Sequence, residues 1–125
     1  MPGRRQARRT AFVLLYQWDV TGQPLASLYE GEVDEFARET AEAVVERVED
    51  LDRRIDEVAE DWTADRLGAP ERNILRIGVF ELETGRVPPE VAINEAVALA
   101  KRYASDDAGR LVNGILGRIA REKAA

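Results

Sequence analysis

The fold is decided by the stretch Pro70-Glu71-Arg72-Asn73-Ile74-Leu75-Arg76-Ile77-Gly78-Val79-Phe80-Glu81-Leu82. A proline suits the first turn of a helix, because its fixed backbone angle fits there and no N–H is needed. The following positions are apolar around much of the helix circumference: Ile74, Leu75, Ile77, Gly78, Val79 and Leu82. A helix that is apolar on most sides has to be surrounded by other elements. We therefore predict a central buried helix that ends near Gly85.

Other helical segments are predicted on both sides of this central helix, at residues 4–20, 25–29, 34–62, 90–103 and from 106 onward. Asp34 is a suitable N-cap for a segment whose apolar residues recur every three to four positions as far as Trp62. This segment is one long helix, or two with a break near Glu49-Asp50. Ser105 or Asp106 caps the last helix. Because no strand pattern occurs, we predict an all-α fold with a single domain over residues 1–125.

The composition narrows the class of function. The chain has 125 residues, of which 45% are hydrophobic and 34% charged, as in ordinary globular proteins. It contains no histidine and no cysteine, which excludes Cys–His and Ser–His–Asp nucleophilic sites and the usual zinc sites. No apolar run approaches the roughly 20 residues that cross a membrane, and no apolar signal segment is present at the start. We expect a cytoplasmic binding protein without a cofactor, and not an enzyme.

Charge is distributed unevenly along the chain. The net charge is −6, yet residues 1–18 carry four arginines and no acid. Residues 30–61 carry fourteen acidic against four basic side chains, and we interpret this run as a solvated helical face. Residues 100–125 carry six basic against three acidic side chains. A local nucleic-acid site is compatible with overall acidity, because phosphate contacts depend on nearby charge.

The basic cluster of the first helix consists of Arg4, Arg5, Arg8 and Arg9. At helical spacing Arg5 and Arg9 share a stripe with Phe12 and Tyr16. Guanidinium groups pair with phosphate and aromatic rings stack on bases, so this stripe has the chemistry of an RNA-binding surface. The alternative is a solvated amphipathic helix, which these residues considered alone favour.

A second polar segment, Ser105-Asp106-Asp107-Ala108-Gly109-Arg110, precedes the last predicted helix. Backbone N–H groups at a helix N-terminus suit anions. Asp107 can accept hydrogen bonds from base amino groups, and Arg110 can reach phosphate. The alternative is a helix cap with no further role. Farther along, Gly114 and Gly117 are predicted to permit close contact between helices.

The sequence also resembles the NusB transcription antitermination family. The motifs that carry the resemblance cover about four fifths of the chain in matching order, and they include Leu14-Leu15-Tyr16-Gln17-Trp18-Asp19 and Glu71-Arg72-Asn73-Ile74-Leu75-Arg76-Ile77. The strongest are Val87-Pro88, Val91-Ala92-Ile93-Asn94-Glu95-Ala96-Val97, Leu99-Ala100-Lys101 and Leu111-Val112-Asn113-Gly114-Ile115-Leu116. The resemblance implies about seven helices in two small packed bundles. It also implies an RNA-binding factor that pairs with the small-subunit ribosomal protein NusE. That pair is expected to bind the boxA element of nascent rRNA transcripts within an RNA polymerase antitermination complex.

The resemblance assigns roles to particular residues. The RNA-binding residues that it implies are Arg4, Arg5, Arg8, Arg9 and Tyr16 of the first helix, with Asp107, Arg110 and Leu111 of the second patch. Glu71 matches a position at the NusE interface. We interpret Asn94 and Asn113 as buried amides that bond across helices.

Three residues depart from the family pattern. Arg9 stands where glutamate is usual, which adds positive charge. Ala108 stands where serine is common and Leu111 where phenylalanine is common, so a hydroxyl and a stacking ring are absent. We therefore expect the first helix to carry more of the RNA binding than the second patch does.

Two alternatives belong to other classes. One is the NusB-like targeting domain of an rRNA cytosine methyltransferase, which we rank lower because no catalytic domain follows before Ala125. The other is a homodimeric interaction protein that buries its RNA face against a second copy and does not bind boxA.

Overall fold

The computed structural model describes residues 3–60 and 63–124, and this part of the chain is helical without a strand. The elements are α1 (Arg4–Thr21), a 3-10 helix (Leu25–Leu28), α2 (Glu35–Glu46), α3 (Val48–Val58), α4 (Ala69–Thr84), α5 (Pro89–Tyr103) and α6 (Asp106–Ala124). The all-α prediction is confirmed, and six α-helices with one 3-10 helix are close to the expected seven. Trp62, the predicted end of the long acidic segment, lies outside the described residues.

The centre of the molecule is α4. Every residue from Asn73 to Leu82 is buried, as the apolar circumference of this stretch predicts. On one side α4 contacts α1 and α2, which also pack against each other and against the 3-10 helix. On the other side it contacts α5 and α6, which form the most extensive helix pair, while α3 lies against α4 and α6. One helix therefore joins two small groups of helices.

Helix ends fall close to the predicted positions. Asp34 caps α2 by accepting a hydrogen bond from the Ala37 N–H at 3.2 Å, and Ser105 caps α6 by accepting one from the Ala108 N–H at 3.0 Å. Gly85 ends α4 with φ of 65°, a left-handed conformation that glycine adopts without steric cost. The long acidic segment is two helices, and the break lies at Arg47, slightly before the predicted position.

Close approach of helices depends on glycines other than those predicted. A Cβ at Gly78 of α4 would lie 2.5 Å from the Leu116 Cδ1 of α6, so α4 and α6 can only meet this closely at a glycine. By contrast, a Cβ at Gly114 would meet nothing within 4 Å, and one at Gly117 would meet only the Arg121 side chain. The prediction for Gly114 and Gly117 is therefore wrong.

The buried amide is also not the predicted one. Asn94 and Asn113 lie on exposed helix faces, whereas Asn73 is fully buried. The Asn73 Nδ2 donates to Asp19 Oδ2 and to the Ala69 carbonyl, each at 2.9 Å, and its Oδ1 accepts from Arg76. A sequence motif does not show which face of a helix points inward, so the prediction for Asn94 and Asn113 is wrong.

Asp19 joins the end of α1 to α4. It accepts hydrogen bonds from Arg72 at 2.8 Å and from Asn73, and it lies 3.3 Å from Arg76. Burial alone would raise the pKa of Asp19, but the hydrogen bonds from Arg72 and Asn73 and the charge of Arg76 outweigh burial and lower that pKa below 3.8. Arg76 continues the network to Asp52 of α3 at 2.7 Å. Three helices are thus joined by one polar cluster.

None of the helices in the described residues is both long enough and apolar enough to span a membrane.

Candidate nucleic-acid interface

The four arginines of α1 lie in different environments. Arg8 is only 4% exposed, and its guanidinium donates to both carboxylate oxygens of Glu81 in α4, at 2.9 and 2.8 Å. The hydrogen bond from Arg8 to Glu81 raises the pKa of Arg8 against the opposing effect of burial. Because both partners are buried and paired with each other, the Arg8 guanidinium is not presented at the surface, unlike the RNA contact that the resemblance implies. Its helical position turns it toward the core.

Arg4 and Arg5 remain at the surface. The Arg4 guanidinium lies 4.9 Å from the ring centroid of Phe36 in α2, a cation–π distance that keeps the charge exposed. The Arg5 Nε donates to Glu95 of α5 at 3.2 Å, although the Arg5 side chain is 72% exposed. The Glu95 side chain is only 16% exposed, whereas most of the Arg5 side chain faces solvent, so Arg5 can bind a phosphate without leaving Glu95.

Arg9 is half-buried and, within residues 3–60 and 63–124, forms no ion pair and no side-chain hydrogen bond. It lines a groove between α1 and α5 together with Arg5, Glu95 and Arg102. On its other side, Arg9 borders a second groove that includes Glu30, Glu32 and Asp34. None of these three carboxylates pairs with Arg9, so its guanidinium is a cation available to an incoming anion.

An aromatic group continues the α1 surface. Tyr16 is 38% exposed, whereas Phe12, expected on the same exposed stripe, is only 4% exposed. The Phe12 ring lies between two tyrosines, 6.2 Å from the Tyr16 centroid and 4.9 Å from that of Tyr103. With Val13 and Pro70, these rings line a shallow pocket. Phe12 therefore supports the two exposed rings and does not itself present a stacking face.

The second predicted patch lies at the start of α6. Asp107 and Arg110 are both exposed and form an ion pair with each other. Leu111 is half-buried against the core, and Ala108 is buried, so neither presents much surface. The patch therefore has one exposed carboxylate and one exposed guanidinium. Because an exposed ion pair is weak, each of the two groups can bind a ligand in place of the other.

The structure brings Glu71 to this patch. Glu71, at the start of α4, lines one groove with Asp107, Leu111, Arg66 and Ser105. The resemblance implies a partner interface at Glu71 and an RNA patch at Asp107, and it does not relate the two positions. The groove makes them neighbours because the N-terminal ends of α4 and α6 meet there.

The aromatic group links the two predicted surfaces. Pro70 lines the pocket of Tyr16 and Tyr103, and it directly precedes Glu71 of the second groove. Tyr103 ends α5 two residues before Ser105, which caps α6. Arginines, exposed rings and the α6 patch therefore form one continuous surface over α1, α5 and α6.

Sequence reasoning missed Arg102, Tyr103 and Arg66 as members of this surface. Arg102 and Tyr103 left a signal, namely a basic residue beside an aromatic residue in a locally positive stretch. That signal does not by itself place the two residues in the α1 surface, because the contact between α1 and α5 depends on tertiary packing.

A sequence model of the NusB family matches residues 5–121 of this chain. The chain belongs to the NusB family. Its relatives include the transcription antitermination protein NusB of Rubrobacter xylanophilus, which is 43% identical over 120 residues, covering 90% of this chain and 86% of that protein. Membership in a family of antitermination factors confirms the prediction of a protein that is not an enzyme.

Solved structures agree with this membership. T. maritima NusB superimposes with a TM-score of 0.86 at 34% identity, covering 97% of this chain and 92% of that one. A chain from a crystal structure of the antitermination factors NusB and NusE in complex with double-stranded RNA gives a TM-score of 0.83 at 33% identity, covering 95% and 96% respectively.

Proposed function

We propose that this antitermination factor binds the boxA element of nascent rRNA transcripts together with NusE. The observation that supports the proposal best is the continuous surface in which Arg5 and Arg9 lead to Tyr16 and then to Asp107 and Arg110. Cations followed by exposed rings and by hydrogen-bonding groups suit a strand of phosphates and bases. The relative in the NusB–NusE complex with RNA supports the same class of ligand.

The two kinds of residue have different tasks in this proposal. Arg4, Arg5 and Arg9 bind phosphates, which provides affinity and makes binding depend on salt. Tyr16 offers an exposed ring to a base, and Asp107 accepts hydrogen bonds from base amino groups. When RNA binds, Arg110 exchanges its ion pair with Asp107 for an ion pair with a phosphate. Leu111 contributes a small apolar contact.

Glu71 is proposed as a contact for NusE. It lies at the edge of the surface, beside Asp107 and Leu111, so a partner bound at Glu71 would border the RNA. Such an arrangement lets the partner and the RNA stabilise each other's binding without a change of fold. The assembled pair is proposed to act within the RNA polymerase antitermination complex.

A gel shift of boxA RNA with this protein alone, with NusE alone and with both tests the proposal. We expect a stronger shift with both proteins than with either one. An RNA of the same length and composition but scrambled sequence is the control, and it should shift less. Equal shifts of the two RNAs in the presence of NusE would overturn the assignment of boxA.

Light scattering of the free protein and of its mixture with NusE and boxA RNA separates the proposal from the homodimer alternative. The proposed function predicts a complex with one copy of this chain and one of NusE per RNA. A stable homodimer that persists without binding RNA would contradict it.

A further inference from the structure

We propose that the C-terminal end of α5 is a further RNA-binding element, in which Arg102 binds a backbone phosphate and Tyr103 contacts the adjoining base. This inference rests on the proposed RNA-binding function and extends it to two residues that had no assigned role.

The position of Arg102 supports the phosphate contact. Arg102 of α5 and Arg9 of α1 line the same groove, together with Arg5, Ala98 and Leu99. Arg102 is exposed and forms no ion pair within residues 3–60 and 63–124. The groove is therefore bordered by three arginines that face solvent.

The charge balance of this groove favours a polyanion. Its one lining carboxylate, Glu95, is already bonded to Arg5. Arg8 also borders the groove, but Glu81 neutralises it from the core side. Arg9 and Arg102 thus remain as two cations with no acidic partner among the groove residues. A basic or neutral protein segment would leave them unpaired, whereas successive phosphates would bind both.

Tyr103 supports the base contact. Its ring is 36% exposed, and the buried Phe12 ring lies 4.9 Å behind it. Tyr103 shares its pocket with Tyr16, the ring already proposed to meet a base. A cationic groove that leads to two exposed rings is the arrangement by which proteins hold a single strand of nucleic acid.

The cation and the ring are neighbours at the surface of the free protein. The Arg102 guanidinium lies 5.5 Å from the Tyr103 ring centroid, and binding of its charge to a phosphate leaves the exposed ring to the adjoining base. Gly109 of α6 lets α5 approach closely, because a Cβ there would lie 3.0 Å from the Lys101 Cγ. The end of α5, with residues 102 and 103, therefore packs next to the start of α6, where the second patch lies.

Filter binding of boxA RNA with NusE present tests the proposal in the variants Arg102→Ala and Tyr103→Leu. We expect Arg102→Ala to weaken binding about tenfold and to reduce the salt slope by about one. Tyr103→Leu should weaken binding by about tenfold as well, with the salt slope unchanged, because stacking on a base involves no released counterion. Arg53→Ala, at an exposed arginine of α3, is the matched control and should leave affinity unchanged.

A set of RNAs with one neutral methylphosphonate each identifies the contact directly. One substituted phosphate should weaken binding of the unaltered protein but cause no further loss in Arg102→Ala. If every methylphosphonate weakens RNA binding by Arg102→Ala as much as it weakens RNA binding by the unaltered protein, Arg102 does not bind a phosphate. Loss of NusE binding with unchanged binding of RNA would also overturn the proposal, because it would make the α5 end a protein contact.

Different results would contradict the proposed function and the inference about the end of α5. If the unaltered protein with NusE does not bind boxA RNA, the proposed function fails. If it binds, and Arg9→Ala weakens binding while Arg102→Ala and Tyr103→Leu do not, only the inference about α5 fails.

Discussion

The Arg8 guanidinium and the Glu81 carboxylate form a buried, bidentate ion pair between α1 and α4. The pair attaches α1, the helix that carries Arg4, Arg5 and Arg9, to the central helix of the fold. Removing one partner of a buried pair leaves an uncompensated charge, so Glu81→Leu should lower the free energy of unfolding by roughly 3–5 kcal/mol.

The double variant Arg8→Met with Glu81→Leu should recover most of that loss, since no charge then remains buried. Urea unfolding of the two single variants and the double variant measures both effects. The double variant should also bind RNA nearly as well as the unaltered protein. A folded double variant that has lost RNA binding would show that Arg8 contributes to the RNA interface.

The Asp19 carboxylate should make stability depend on pH. Its pKa is lower in the folded protein than its ordinary value of 3.8, so it stabilises the fold above that pH and this contribution is lost as the pH falls through the folded pKa. At pH 7, Asp19→Asn should cost roughly 1–3 kcal/mol, because Arg72 and Arg76 lose a charged acceptor. Melting temperatures of the two proteins at a series of pH values should converge as Asp19 of the unaltered protein becomes protonated. A difference that stays constant down to pH 3 would contradict this role of Asp19.

Two glycines provide a matched comparison of packing and helix propensity. Gly78→Ala should destabilise the protein by about 1–3 kcal/mol, because the added methyl overlaps the fully buried Leu116. Gly114→Ala should instead stabilise it by about 0.5–1 kcal/mol, because its methyl meets nothing and alanine favours the helix. Thermal unfolding followed by circular dichroism measures both changes. Equal effects of the two substitutions would show that the close contact of α4 and α6 is not a constraint.

Charge reversal at Glu71 tests the proposed partner contact. Glu71→Lys should impair pull-down of NusE while circular dichroism stays unchanged, because the half-buried side chain lies at a groove and outside the core. Glu57→Lys, at an exposed residue of α3, makes the same change of charge away from that groove and should leave the pull-down intact. Normal capture of NusE by Glu71→Lys would remove Glu71 from the interface.

The sequence predicts most of the fold because local signals and tertiary packing agree. The apolar circumference of residues 74–82 predicts the central helix, and Asp34 and Ser105 cap helices through their own side chains. These signals lie within a few residues of the structure that they specify.

The sequence predicts the candidate site only in part. The rotation of a helix about its own axis decides which residues face the core and which face solvent, and the sequence does not show that rotation. Arg8 and Arg9 are adjacent and chemically identical, yet Arg8 is buried against Glu81 and Arg9 is half-buried at the edge of a groove. Likewise, Asn73 is buried and Asn113 is exposed. The groove that joins α1 to Arg102 depends on contacts between residues about ninety positions apart, such as the Arg5–Glu95 pair.

In the proposed function, α1 carries more of the RNA binding than the α6 patch, where Ala108 is buried and Leu111 lacks a stacking ring. A filter-binding titration of boxA RNA with NusE, over a series of salt concentrations, compares Arg9→Ala with Arg110→Ala. We expect each variant to reduce the salt slope by about one, and Arg9→Ala to weaken binding more than Arg110→Ala does. Unchanged affinity and slope in Arg9→Ala, or a larger loss in Arg110→Ala, would contradict this expectation.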